Sequence, residues 1–192
     1  YEKNRWKDEP YFAAAHNGLA KCLDGRGEFA EADPMYQKGL QMRRQLDKTP
    51  NMDLGFSLND FGDALLRRGE YAAAEPYWRE YVSVCEAAAP PGDWRKLAEK
   101  SGLGSCLAGM GRFSEAEPLL LAGYEGLRDN AAVTPSVLKE CVARTERLYE
   151  AWERSEPGKG YADKAARWRV AADEIEKRQD VEAAKQGGET GN

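Results

Sequence analysis

Histidine is nearly absent from this chain: His16 is the only one in 192 residues. That excludes a histidine-based metal site and leaves the serines without the imidazole partner a nucleophilic hydroxyl needs. Long hydrophobic runs are missing too. No stretch approaches the roughly 20 apolar residues needed to cross a bilayer, and residues 1–10 are charged where a secretory leader would be apolar. The four cysteines, Cys22, Cys85, Cys106 and Cys141, form no Cys-x-x-Cys pair. Neither a zinc ribbon nor a dithiol redox motif is present in that pattern, and reduced thiols in a cytoplasmic setting are expected. Positive charge is not in excess either. The formal net charge of −5 speaks against sequence-independent nucleic-acid binding, which needs a basic surface. With a charged share of 32%, the chain is expected to be soluble. The first residue is Tyr rather than Met, so the chain reads as part of a longer protein.

What is there is a repeat. Gly27-Glu28-Phe29-Ala30-Glu31-Ala32-Asp33-Pro34 returns as Gly69-Glu70-Tyr71-Ala72-Ala73-Ala74-Glu75-Pro76. It returns again as Gly111-Arg112-Phe113-Ser114-Glu115-Ala116-Glu117-Pro118, each copy 42 residues after the last. A fixed period of this size marks a solenoid. Leu23, Leu65 and Leu107 share one position; Leu19, Phe61 and Leu103 share another. Each unit reads as two helices. Leu58, Phe61, Leu65 and Leu66 fall at helical spacing in the first, and Gly69 ends it because glycine tolerates a left-handed backbone. The second opens near Tyr71, with Glu75 and Pro76 expected within its first turn or so, where an acid suits the helix dipole and proline is tolerated because early helix N–H groups have no internal acceptor. Ala20, Gly62 and Gly104 form a small-residue position, expected where two helices approach closely. Cys22 and Cys106 share a slot that holds Ala64 in the second copy, expected to be small and buried. His16 aligns with Leu58 and Lys100 and reads as a packing residue.

Small residue, Leu, Gly, aromatic, x, x, Ala, then a large residue is the pattern of the tetratricopeptide repeat, whose usual period is about 34 residues. The longer period here resembles the variant found in kinesin light chains and in many bacterial proteins. HEAT and armadillo repeats, with periods of about 40–47, do not carry the tight Gly-x-aromatic-x-x-Ala junction. Gly111 to Leu121, Leu148-Tyr149-Glu150-Ala151-Trp152 and Lys164-Ala165-Ala166-Arg167-Trp168-Arg169 resemble the C-terminal repeats of large bacterial serine/threonine protein kinases. The resemblance covers about residues 10–170. It implies an all-α fold, a right-handed α-solenoid of antiparallel helix pairs with about eight helices.

Along the chain, a single array over residues 1–185 is expected, in units of about 4–47, 52–89, 93–129 and a degenerate capping unit 136–185. The first helix is amphipathic through Trp6, Phe12, Leu19 and Leu23. Lys48-Thr49-Pro50-Asn51 and Pro90-Pro91-Gly92-Asp93 are breaks, with Asp93 a candidate N-cap. Residues 153–160 look like an insertion. The last helix, about residues 161–185, sets Ala165, Trp168, Ala172 and Ile175 on one face and charge elsewhere, as a terminal cap requires. Residues 186–192 read as a disordered tail.

No enzyme is indicated. Asp60-Phe61-Gly62 spells the magnesium-binding signature of protein kinases, but the repeat accounts for Phe61 and Gly62, and the other kinase motifs are missing. Gly102-Leu103-Gly104 lacks the third glycine of a dinucleotide loop. No catalytic residue, cofactor or metal is expected. The remaining candidate is the groove that the first helices line in tetratricopeptide stacks. The resemblance places Asn17, Lys21, Asn59, Asp60, Asp63, Arg67, Ser101, Ser105, Arg144 and Arg147 there. Members that hold C-terminal carboxylates use Lys, Arg and Asn at such positions; here Asp60 and Asp63 stand in the middle, which implies a mixed or partly basic ligand segment. A protein-interaction module is therefore the first expectation. A structural or oligomerisation arm and a small-ligand sensor are the alternatives.

Overall fold

The computed structural model describes residues 10–46 and 49–189. Among the described residues eight helices follow one another: α1 (Pro10–Gly25), α2 (Phe29–Leu46), α3 (Met52–Arg67), α4 (Tyr71–Ala88), α5 (Arg95–Gly109), α6 (Phe113–Leu127), α7 (Pro135–Ser155) and α8 (Tyr161–Glu189). No strand occurs among the described residues. Each odd-numbered helix pairs with the next to form a hairpin, and each hairpin packs on the one before it. The fold is an all-α solenoid. Trp6, Lys48 and the ends of the first unit lie outside the described residues.

The repeated glycine explains how each hairpin turns. Gly27, Gly69 and Gly111 have φ of 78°, 77° and 76°, a conformation that disfavours any residue with a Cβ. At each turn the amide after the glycine donates back to the leucine that recurs every 42 residues: Glu28 N to Leu23 O, Glu70 N to Leu65 O and Arg112 N to Leu107 O, all 2.9 Å. The glycine amide itself donates to the carbonyl of the next residue along, Asp24, Leu66 or Ala108, at 3.0 Å. This paired return satisfies carbonyls that the helix end would leave open. One leucine of the repeat is thereby fixed both in the core and in the cap.

The small-residue register marks close contact. A Cβ on Gly104 would lie 2.8 Å from Leu120 Cγ and 3.3 Å from the Ala116 carbonyl; one on Gly62 would lie 2.9 Å from Trp78 Nε1. Ala20, in the same register, is fully buried. Gly104→Val is expected to lower stability by about 1–3 kcal/mol through overpacking, read as a fall in melting temperature.

Two elements differ from expectation. Pro34, Pro76 and Pro118 are each the sixth residue of their helix, at the far edge of the expected first turn or so, and α2, α4 and α6 continue unbroken through them. The acids beside them do more than complement a dipole. Asp33 accepts from Arg68 at 2.7 Å, Glu75 from Arg112 at 3.1 Å, and Glu117 from Lys164 at 2.9 Å and Tyr149 at 2.7 Å. At every junction this acid ties one hairpin to the next. Second, α8 continues through Glu189, beyond the end expected near Lys185. Once a helix is nucleated each further residue adds a hydrogen bond, so Gly187 and Gly188 need not end it. Residues 190–192 lie outside the described residues.

Aromatic stacking carries the hairpin-to-hairpin contacts. Tyr36 of α2 stacks on Phe61 of α3 at 4.8 Å, and Phe113 of α6 stacks on Trp152 of α7 at 5.6 Å. Glu153 accepts from the amides of Gly158 and Ala162, at 2.8 and 3.1 Å, which orders the 153–160 turn before α8. Successive first helices α1, α3, α5 and α7 pack on one another; successive second helices do not pack as closely. Such a stack curves toward its tighter layer, so the first helices line the inner face.

Candidate functional site

Two cavities open on that inner face. One, of about 200 Å³, lies among α3, α5 and α7. Its floor is apolar: Leu66, Ala108, Leu148 and Ala151. Its rim carries Asp63, Arg67, Ser105, Glu140, Arg144, Arg147 and Arg154. The other, of about 350 Å³, is walled by Phe56, Trp78, Tyr81 and Trp94, with Asn59, Arg95 and Ser136 at its edge. The cavities share Asp63, Glu140 and Arg144. Arg144 donates to Asp63 at 2.8 Å and to Glu140 at 3.0 Å, and its guanidinium sits 5.5 Å from the centre of the Trp78 ring. This bridge from α7 to α3 forms the partition between the chambers.

Six of the ten residues named from the sequence come together here: Asn59, Asp63, Arg67, Ser105, Arg144 and Arg147. Lys21 and Asp60 do not line either chamber; they pair with each other at 3.0 Å and tie α1 to α3. Asn17 and Ser101 are a correction. Both are buried. A Cβ on Gly39 would lie 2.4 Å from Asn17 Oδ1, and one on Gly123 would lie 3.2 Å from Ser101 Cβ. In these two hairpins that register faces the hairpin's own second helix, where a glycine leaves space, so the side chain turns inward.

The electrostatics also depart from the sequence reading. Asp60 is matched by Lys21, and Asp63 by Arg67 at 2.6 Å and Arg144. Across both chambers the lining holds Arg67, Arg95, Arg144, Arg147 and Arg154 against Asp63 and Glu140. That is a local excess of three positive charges in a chain whose net charge is −5. Arg95 is held firmly charged, chiefly by its hydrogen bonds to Asp93. Burial works against the Arg67 cation, but hydrogen bonding to Asp24 and the nearby carboxylates outweigh it. Arg154 and the aromatic wall escaped the sequence reading. The signal was present in α7, where Glu140, Arg144, Arg147, Ala151 and Arg154 recur at three- and four-residue spacing and so share one helix face.

Residues 11–87 match the tetratricopeptide repeat. The match spans the first two hairpins, and the Gly-x-aromatic stretch of those hairpins recurs at the same 42-residue spacing in the third. No curated protein matches the chain. Tetratricopeptide repeats mediate protein–protein interaction, and the chemistry of the site agrees with a binding surface. Burial pushes the Cys85 and Cys106 thiols up to about 12 and raises that of Cys141, which makes all three poor nucleophiles. Among the described residues no group of three or more His, Cys, Asp or Glu side chains is placed to hold a metal, and no helix is long and apolar enough to cross a membrane.

Proposed function

We propose that this chain is a non-catalytic interaction module that holds a segment of another protein in the groove between α3, α5 and α7. The observation that carries the reading is the pairing of an arginine-rich rim with two apolar chambers on one face of the stack. Apolar side chains of the bound segment fill the chambers, and its carboxylates meet Arg147 and Arg154. Sequence alone implied a mixed or partly basic segment; the internal pairing of Asp60 and Asp63 supports an acidic one instead. The resemblance of α6, α7 and α8 to the repeats of bacterial serine/threonine kinases supports a cytoplasmic signalling protein as the setting, and the sequence flanking the chain tests that.

A peptide array of acidic, neutral and basic segments tests the groove. Acidic segments with bulky apolar residues are expected to bind best. Arg147→Glu combined with Arg154→Glu is expected to weaken the best of them at least about 10-fold, with a reduced salt dependence. Lys38→Glu, on the exposed side of α2, should leave binding unchanged. A preference for basic segments would defeat the reading, and so would a strict requirement for a free C-terminus.

A further inference from the structure

α1 shows to solvent a face that the other first helices bury. Cys22 is exposed, whereas Ala64, Cys106 and Leu148, at the same place in α3, α5 and α7, are fully buried. The expectation of a buried slot at Cys22 is thus corrected. Leu19 is 51% exposed where Phe61 is 2%. Ala15 is exposed where Ser57 and Cys141 are buried. With Phe12 these residues form a stripe at helical spacing along α1. Six large hydrophobic residues are exposed among the described residues, and four of them, Tyr11, Phe12, Leu19 and Phe29, belong to the first hairpin. Clustering of this kind marks an interaction surface.

The structure itself shows what such a face receives. Phe61 is covered by the second helix of the hairpin in front, whose Tyr36 ring stacks on it nearly parallel, at 14°. The α5 face is covered in the same way by α4, where Trp78 lies so close that a Cβ on Gly102 would sit 2.2 Å from its ring. The α7 face is covered by α6. The stripe on α1 continues this series of interfaces by one more step.

We propose that the outer face of α1 is a docking site for one further helical hairpin of the same repeat type. That hairpin presents its second helix, with an aromatic residue at the place Tyr36 holds in α2. The interaction is separate from the groove, since Phe12, Ala15, Leu19 and Cys22 line neither chamber. It would extend the stack, and with it the inner face, by one unit.

Cys22 supplies the readout, because Cys85, Cys106 and Cys141 are buried. In the chain as it stands, a small disulfide reagent should modify Cys22 rapidly and at a rate independent of protein concentration. A second protein carries a copy of residues 10–51 in place of residues 1–9, which keeps the 42-residue register. In that copy Cys22 is changed to Ser. The added hairpin should slow modification of the original Cys22 by at least about 100-fold, since reaction then requires local opening. Tyr36→Asp in the added copy alone should restore the fast rate. Unchanged fast modification in the extended protein would overturn the proposal. Protection of Cys22 that grows with protein concentration in the parent chain would overturn it in favour of a second copy. Faster modification after removal of residues 1–9 would overturn it in favour of the chain's own first residues.

Discussion

Replacing Arg68 by Met is expected to lower stability by about 3–5 kcal/mol, although the long apolar stem is kept. Arg68 follows α3 at the turn into α4, and its side chain is 5% exposed. It donates to Asp24 of α1, itself 7% exposed, and to Asp33 of α2 at 2.7 Å, and it lies 4.2 Å over the Phe29 ring. One guanidinium therefore fastens the second hairpin to both helices of the first. Burial alone would raise the Asp24 carboxyl, but hydrogen bonds from Arg67 and Arg68 outweigh it and hold that carboxyl below its ordinary value. Without Arg68, Asp24 keeps only Arg67, which is 56% exposed and contributes little through solvent. The loss is then mostly the cost of a buried carboxylate without its partner. Two junctions further along solve the same contact differently. One period on, the positions of Asp24 and Arg68 hold Leu66 and Met110; two periods on, Ala108 and Trp152. The double variant Asp24→Leu, Arg68→Met should therefore recover most of the loss and return to within about 1–2 kcal/mol of the parent. Urea denaturation of the single and double variants decides the matter. A double variant as unstable as the single one would show that the contact depends on packing that the ion pair does not control.

That junction also shows how far the sequence could be read. Period, hairpin boundaries and core leucines were legible because they recur: Gly69 and Leu65 repeat, and repetition separates signal from chance. Arg68 and Asp24 were not legible, because neither recurs and their contact spans 44 residues. The lining of the proposed groove was legible only residue by residue. Asp63 and Arg144 were placed on it by resemblance to the repeat, yet their pairing depends on α7 reaching past α5 to α3, a distance in sequence of 81 residues that no local pattern encodes. Asn17 and Ser101 were misplaced because register fixes a helix face but not the size of the residue opposite, and Gly39 and Gly123 draw those side chains inward. The exposure of Leu19 and Cys22 has the same origin. Pattern marked them apolar and small, while burial depends on a neighbour in front.

Glu99→Gln is expected to stabilise the protein by about 3 kcal/mol at pH 8 and to change it little at pH 4. Glu99, on α5, occupies a slot that holds Ser57 and Cys141 in the neighbouring units. It is 1% exposed, and no N–H or O–H donor reaches either carboxyl oxygen, which leaves it the weak thiol donor of Cys85 on α4. Burial pushes the carboxyl up from its ordinary 4.5 to about 7. Cys85 of α4 and the cations Lys100 and Lys96 oppose that rise, and Glu86 adds to it. A group whose folded value is raised holds its proton longer in the folded state than in the unfolded one. Its contribution is therefore fully present below pH 4.5, declines as pH rises toward 7, and is constant above that. A rise from 4.5 to about 7 is on the order of 3 kcal/mol at ~1.4 kcal/mol per unit. Asp24, Asp93 and Glu117 are held below their ordinary values, so their stabilisation is lost only as pH falls through the acid range. The two effects occupy different windows. Melting temperatures measured from pH 3 to pH 9 should show the parent losing stability between about pH 4.5 and pH 7. Glu99→Gln should remove that limb and keep the acid one, since a neutral amide of the same shape has no proton to give up. An unchanged slope between pH 4.5 and pH 7 in the variant would mean that some other group titrates there, and that the α4–α5 contact tolerates the carboxylate at no cost.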